Sequence, residues 1–230
     1  MARKMNPGMT NITHTEKIGR SRDRVATKER IIHAVGSLLA REGFTALGIN
    51  AIAREAGVDK VLIYRYFGGM PELLRAFGES EEFWPSSAEF LGDDIEIILS
   101  MPLAEIVPIV LINFAKALRR RPVTLEIMAW ELVENNELTE VLTKVREDMS
   151  IEIFRELSAK LVDVDTDVPA IVTLLSAAVS YLLLRSRNIE VYNTVDIRSD
   201  KGWERIEESI TMICKRCLSP LKLKQGSLKL

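Results

Sequence analysis

IAREAGVDKVLIYRYF, Ile52 to Phe67, is the stretch that decides the fold of this chain. It reads as two short helices joined by a glycine turn, the second with an exposed basic and tyrosine face. Ala53 stands four residues before Gly57, and Ile63 follows six residues later. Those are the places where a helix-turn-helix needs a small residue, a turn glycine and a core anchor. Ala53 lets the helices approach closely, and Gly57 can take the left-handed conformation that ends the first of them. Ile63 and Phe67 supply the buried stripe of the second. Lys60, Val61, Leu62, Tyr64 and Tyr66 are left for the faces not used in packing. A helix that offers a cation and two phenols outward suits a DNA major groove and its flanking phosphates.

Helical periodicity extends on both sides. Ile31, Ile32, Val35, Leu38 and Leu39 predict a helix from Val25 to Arg41, stopped by Gly43. Gly68-Gly69 breaks the chain after Phe67. Pro71 then suits the first turn of MPELLRAFGESEEF, the expected strut between two domains. Further on, apolar residues recur at three and four through Ile106, Ile109, Val110, Phe114 and Ala117. Pro122 opens a segment that runs past Met128 and Trp130 to Asn135-Asn136. A long helix takes in residues from Val141 to Leu161. Asp165, Asp167 and Pro169 read as a cap before an apolar helix. VYNTVDIRSDKGW reads as a loop, and a last helix carries Trp203, Ile206, Ile210, Ile213 and Cys217 on one face. No strand alternation is visible, so the fold class is all-α.

The bulk numbers fit a globular chain of one or two domains: 230 residues, 47% hydrophobic and 28% charged. Charge is unevenly spread. Residues 1–70 hold 12 Lys+Arg and 6 Asp+Glu, whereas the other 160 hold 19 and 27, so the formal −2 divides into +6 and −8. A basic end on an acidic body suits local contact with a polyanion. The N-terminus lacks the continuous apolar core of a secretory signal. Val168 to Leu184 is the most apolar stretch. At 17 residues with Pro169, Thr173, Ser176 and Ser180, it reads as a buried helix and not a membrane span. A helix apolar nearly all round must be covered on several sides, and the natural cover is a second copy.

Enzyme signatures are missing: there is no GxGxxG, GxxxxGK followed by Ser or Thr, HExxH or GxSxG. The only histidines are His14 and His33. Cys214 and Cys217 form a CxxC with no second Cys or His cluster to complete a zinc site, so two small residues on a late helix are expected, with no metal, no cofactor and a reducing, cytoplasmic setting.

The chain resembles the TetR family of bacterial transcriptional regulators. The resemblance runs from ERIIHAVGSLLAREGF (Glu29 to Phe44) through Ile49, Ile52, Ala53, Ala56, Gly57 and Val58 to IYRYF, Glu72, Leu73 and Leu74. It is specific over roughly residues 26–77 and architectural beyond. It implies an N-terminal three-helix helix-turn-helix DNA-binding domain followed by a larger helical ligand-binding and dimerisation domain. The boundaries expected are 1–24 as a disordered basic tail, which can also serve as an arm on DNA, then 25–70 and 71–230. Carried over position by position, the resemblance puts Asn50, Lys60, Val61, Leu62, Tyr64 and Tyr66 at DNA. Lys60 would reach guanine or phosphate, Val61 and Leu62 thymine methyls, and the tyrosine hydroxyls phosphate. The chain departs from the family at Leu47 and Gly48, where Thr or Ser is usual, at Val61, where a small residue is usual, and at Met70, where Lys is common.

The same resemblance implies a homodimer on a palindromic double-stranded operator and a small hydrophobic or amphipathic effector. Its pocket would be lined by Phe114, Met128, Trp130, Phe154 and Tyr181. The dimer candidates are the last two helices, with Leu175, Val179, Leu182, Trp203, Ile206, Ile210 and Ile213. Glu126, Glu131 and Arg119-Arg120-Arg121 are expected on solvated faces. The alternatives are a constitutive or architectural DNA-binding protein without an effector, and a ligand-dependent activator.

Overall fold

The computed structural model describes residues 11–92, 94–161 and 166–219. The fold is all-α, with an N-terminal helix-turn-helix unit and a larger helical body; eleven α-helices are found among the described residues. The N-terminal unit holds α1 (Asn11–Glu42), α2 (Ile49–Ala56), α3 (Lys60–Phe67) and α4 (Met70–Gly78). The body holds α5 (Ser87–Leu91), α6 (Ile95–Ser100), α7 (Leu103–Arg119), α8 (Pro122–Glu131), α9 (Glu137–Leu161), α10 (Val168–Ser186) and α11 (Asp200–Cys217).

The first helix begins well before Val25. Residues 11–24, expected as part of a tail, are its opening turns; residues 1–10 lie outside the described residues. Gly43, at φ 73°, ends it. Two cations tie this helix to α3: Arg24 lies over the Tyr66 ring and Lys28 over the Phe67 ring, each 5.5 Å from the centroid.

The expected strut is shorter than its apolar pattern suggested. α4 stops at Gly78, where the Ser80 hydroxyl donates to the Phe77 carbonyl at 2.6 Å. Phe77, Phe83 and Trp84 then stack in sequence and carry the chain into the body. The buried hydroxyl of Thr124 donates to the Phe83 carbonyl, also at 2.6 Å, and fixes that block from the α8 side. The N-terminal unit is seated on the body in two places, α1 on α8 and α4 on α9. At the second seat a Cβ added to Gly78 would stand 3.1 Å from Leu142 and 3.2 Å from Val145 of α9.

α7 is the axis of the body, with α5, α10 and α11 packed on it. Its Leu103, Ile106, Val107, Leu111, Ala115 and Leu118 are buried. The segment 191–196, expected as a loop, is a two-residue hairpin: β1 (Val191–Tyr192) pairs antiparallel with β2 (Val195–Asp196). Asn193 and Thr194 turn it at φ 45° and 67°, the double positive φ of a tight hairpin turn. The Trp203 indole N–H donates to the Ile197 carbonyl at 2.9 Å and pins α11 to this hairpin.

The faces expected to be solvated are largely paired. Glu131, 8% exposed, meets Arg146 at 2.6 Å; Arg121 meets Glu89 at 2.6 Å, Arg119 meets Asp200 at 2.6 Å, and Arg187 holds Glu126 with its Nε at 2.7 Å. Long side chains reach across elements here, which helical spacing alone does not reveal.

α10 is expected to be covered on several sides, with a second copy as the natural cover; within the single chain only Val168, Val179 and Leu183 are buried. Leu174 is 72% exposed and Tyr181 49%. The chain covers only the side that faces α7 and α8.

Candidate nucleic-acid interface and interior cleft

The turn between α2 and α3 closes as the glycine requires. Gly57 sits at φ 63°, ψ 41°, and the Val58 N–H reaches back to the Ala53 carbonyl at 2.9 Å, a Schellman-type close. Ile52, Ala53, Ala56 and Ile63 are buried, so the two helices share a fixed core. The Asp59 carboxylate caps α3 by accepting from the Val61 N–H at 2.8 Å. That cap is a signal the sequence carries and motif spacing alone passes over.

Of the residues carried over to DNA, Asn50, Lys60, Val61 and Tyr64 are exposed, whereas Leu62 and Tyr66 are half-buried. Val61 and Tyr64, at 62% and 54%, are large groups with no packing role in the chain, and both lie on the outer face of α3. Tyr66 instead is held under Arg24. α2 has no side-chain cap, since Gly48 occupies the N-cap. Its backbone is extended, at φ −157°, and a Cβ there would meet nothing within 4 Å. Gly48→Ser is therefore expected to raise the unfolding free energy by about 0.3 kcal/mol. A urea titration checks it, and a midpoint that fell would mean the site does not accept a hydroxyl.

The body contains a cleft of about 650 Å³ between α9 and α10, floored by α7 and α8. Of the residues that the resemblance put in an effector pocket, Phe114, Met128 and Phe154 line this cleft; Trp130 and Tyr181 do not. Trp130 packs instead where a Cβ on Gly43 would touch it, and Tyr181 meets Tyr192 edge-on at 5.7 Å. Lining residues that sequence reasoning missed include Trp84, Phe90 and Arg146. A second apolar space of about 30 Å³, among Val107, Leu157 and Val168, adjoins the cleft and shares Val110, Leu111, Ile153, Phe154 and Val172 with it.

The dimer candidates fall in three groups. Val179, Trp203 and Ile210 are buried inside the chain, and Leu175, Leu182 and Ile206 are half-buried. Only Ile213 is exposed. The outward stripe of α10 is instead Leu174, Ala177, Ala178 and Tyr181, and that of α11 includes Met212 and Ile213.

Burial pushes the Cys214 thiol up to about 11, and Cys217 is exposed. Among the described residues no cluster of His, Cys, Asp or Glu is placed to hold a metal. A maleimide at mildly alkaline pH is expected to label Cys217 alone in the folded chain and both cysteines in denaturant, read by mass. Rapid double labelling of the native chain would contradict the burial of Cys214.

Comparison with known proteins agrees with this geometry. The family model for bacterial regulatory proteins of the tetR family matches residues 31–77. An HTH-type transcriptional repressor of Streptomyces coelicolor is 41% identical over 61 residues, which are 26% of this chain and 32% of that relative. The chain therefore matches about a third of the length of this curated relative. Among solved structures, a putative TetR-family regulator from Rhodococcus sp. superposes with a TM-score of 0.59 at 16% identity, covering 84% of this chain and 98% of that one. FadR of Bacillus subtilis, in complex with stearoyl-CoA, gives 0.57 at 17% identity, covering 83% and 99%. At such identities the superpositions show the fold alone.

Proposed function

Since this chain belongs to the tetR family of bacterial regulatory proteins, we propose that it is a homodimeric repressor of a palindromic operator, released by a small hydrophobic or amphipathic ligand and acting in the cytoplasm. The observation that carries the DNA part is the outer face of α3. There Lys60, Val61 and Tyr64 stand exposed on a helix whose other side is locked by Ile63 and capped by Asp59. A short, rigid helix with a cation at its first turn and a phenol one turn on can enter a major groove and hold the flanking phosphate.

Two further features support the rest. The uncovered apolar stripe of α10 is what a two-fold partner would bury, and a two-fold axis matches a palindrome. The cleft between α9 and α10 has the size of a small-molecule site and is mostly apolar. α9 serves two surfaces: Phe154 lines the cleft, while Leu142 and Val145 hold Gly78 of α4. A ligand that fits one position of α9 better than another would move the seat of the DNA-reading unit, and equal fit would move nothing. The stearoyl-CoA bound by the B. subtilis neighbour shows that a related architecture can hold an acyl compound.

The test is selection of genomic fragments by the purified chain at physiological salt. One palindromic site, with half-sites a helical turn apart, is the expected outcome; recovery of salt-sensitive DNA without a shared sequence would overturn the operator reading. Tyr64→Phe is then expected to weaken binding about fivefold, equally on all operator variants, if its hydroxyl holds phosphate. A loss confined to one base position would assign Tyr64 to a base instead.

A further inference from the structure

The cleft is polar at one end and apolar at the other, and this polarity runs along α9. Its upper end is marked by Arg146, with Thr143 and Ser150 on neighbouring turns; its lower end is Ile153, Phe154 and the annex beside Leu157. From residue 146 to 157 the helix advances about 16 Å. A ligand matching this gradient has one compact polar group and one unbranched apolar chain.

The state of Arg146 decides which polar group. Its guanidinium lies over the Phe83 and Trp84 rings at 6.0 and 5.5 Å, and its two terminal nitrogens are engaged by Glu131 at 2.8 and 2.6 Å. The side chains of the pair are 17% and 8% exposed, so the positive charge is neutralised where it sits. What remains toward the cleft is hydrogen-bonding capacity without net charge: a planar guanidinium has five N–H groups, of which Glu131 occupies two and the Thr143 hydroxyl accepts a third at 3.4 Å. Glu147 also lines this end and places a negative charge at the mouth. A free carboxylate or phosphate would meet Glu147 with no unpaired cation to offset it. An ammonium carries no acceptor and would leave the remaining Arg146 N–H groups without a partner.

We infer, on the premise that the cleft is the effector site, that it takes a single-chain amphiphile with an uncharged, acceptor-bearing head: an acyl ester, thioester, lactone or ketone. The head carbonyl accepts from Arg146 with the Thr143 hydroxyl beside it, and the chain end enters the annex at Leu157 and Val168. The ligand class is set by the Glu131–Arg146 pair, because that pair supplies donors and withholds charge. Removing Glu131 alone would convert the same end into an anion site.

The experiment is calorimetric titration of the full chain, without DNA, with methyl decanoate, decanoate and decyltrimethylammonium. The ester is expected to bind once per chain, at least about tenfold more tightly than either ion. Glu131→Gln is expected to reverse the order of ester and decanoate. Because this variant can weaken the buried pair, Val172→Phe is the second test. It narrows the entrance to the annex and is expected to shift preference from methyl decanoate to methyl hexanoate with the head requirement unchanged. Decanoate or the ammonium binding as tightly as the ester overturns the inference, as does binding by none of the three. Neither result bears on operator selection, which is read separately, so failure of the ligand class and failure of the regulator reading remain distinct.

Discussion

A chain carrying Leu174→Glu together with Ile213→Glu is expected to run as a monomer and to lose operator affinity by about 10²–10⁴-fold, the range that linking two binding modules contributes. Both residues are exposed in the single chain, at 72% and 37%, so replacing them should alter the fold of one protomer little. Across a two-fold interface the same changes place four carboxylates in apolar contact, where each lacks a partner. Light scattering reads the assembly, and circular dichroism shows that the helices persist. A dimer that survives both substitutions would locate the interface elsewhere. Ile210 is a poor choice for this test, although its helical register recommends it. It is 5% exposed within the chain, and a carboxylate there would disrupt the protomer before it reported on the dimer.

The second large effect is expected at Gly202, in the first turn of α11. A Cβ there would overlap the backbone carbonyl oxygen of Asp196. That atom belongs to β2 and cannot swing aside as a side-chain tip would. Its residue is also committed: the Asp196 carboxylate accepts from the N–H groups of Arg198 and Ser199, at 2.9 and 3.0 Å. Gly202→Ala is therefore expected to cost about 3 kcal/mol or more, at the upper end for an overpacked site. The hairpin and α11 should separate together, and with them the Trp203 bond to Ile197. The readout is a lower unfolding midpoint with a red-shifted tryptophan emission. A variant as stable as the parent would mean the helix start moves away from β2 at little cost. Gly48→Ser is the matched control, because its added Cβ meets nothing and its hydroxyl suits the N-cap.

These two positions also mark where sequence reading succeeds and where it stops. The helix-turn-helix is legible because it is local: Ala53, Gly57 and Ile63 act within about a dozen residues, and each has a stereochemical reason for its place. α7 and α11 are legible for a similar reason, their apolar residues recurring at helical spacing. α10 was legible as a helix but not as a surface. A helix apolar on every side has no periodic signal to tell which stripe the chain itself covers, so Leu175 and Val179 were indistinguishable from Leu174. The hairpin was hidden because strands of two residues cannot show alternation, and because Asn193-Thr194 is a weak form of the turn that Asn-Gly would announce. The cleft was half legible. Phe114, Met128 and Phe154 could be proposed as inward aromatics and thioether, but Trp84 and Arg146 enter through contacts between distant segments. Glu131 and Arg146 lie fifteen residues apart on different helices, a spacing with no local meaning.

The open stripe of α10 has a last consequence. An 18-residue window of this helix is only 17% buried within the chain that carries it. If a second copy covers it, association adds to the stability of each protomer, and the melting temperature depends on how much of the protein is present. Dilution would then separate protomers that keep their helices. A cell that held few copies would keep them apart and silent, so abundance itself would set the threshold at which regulation begins.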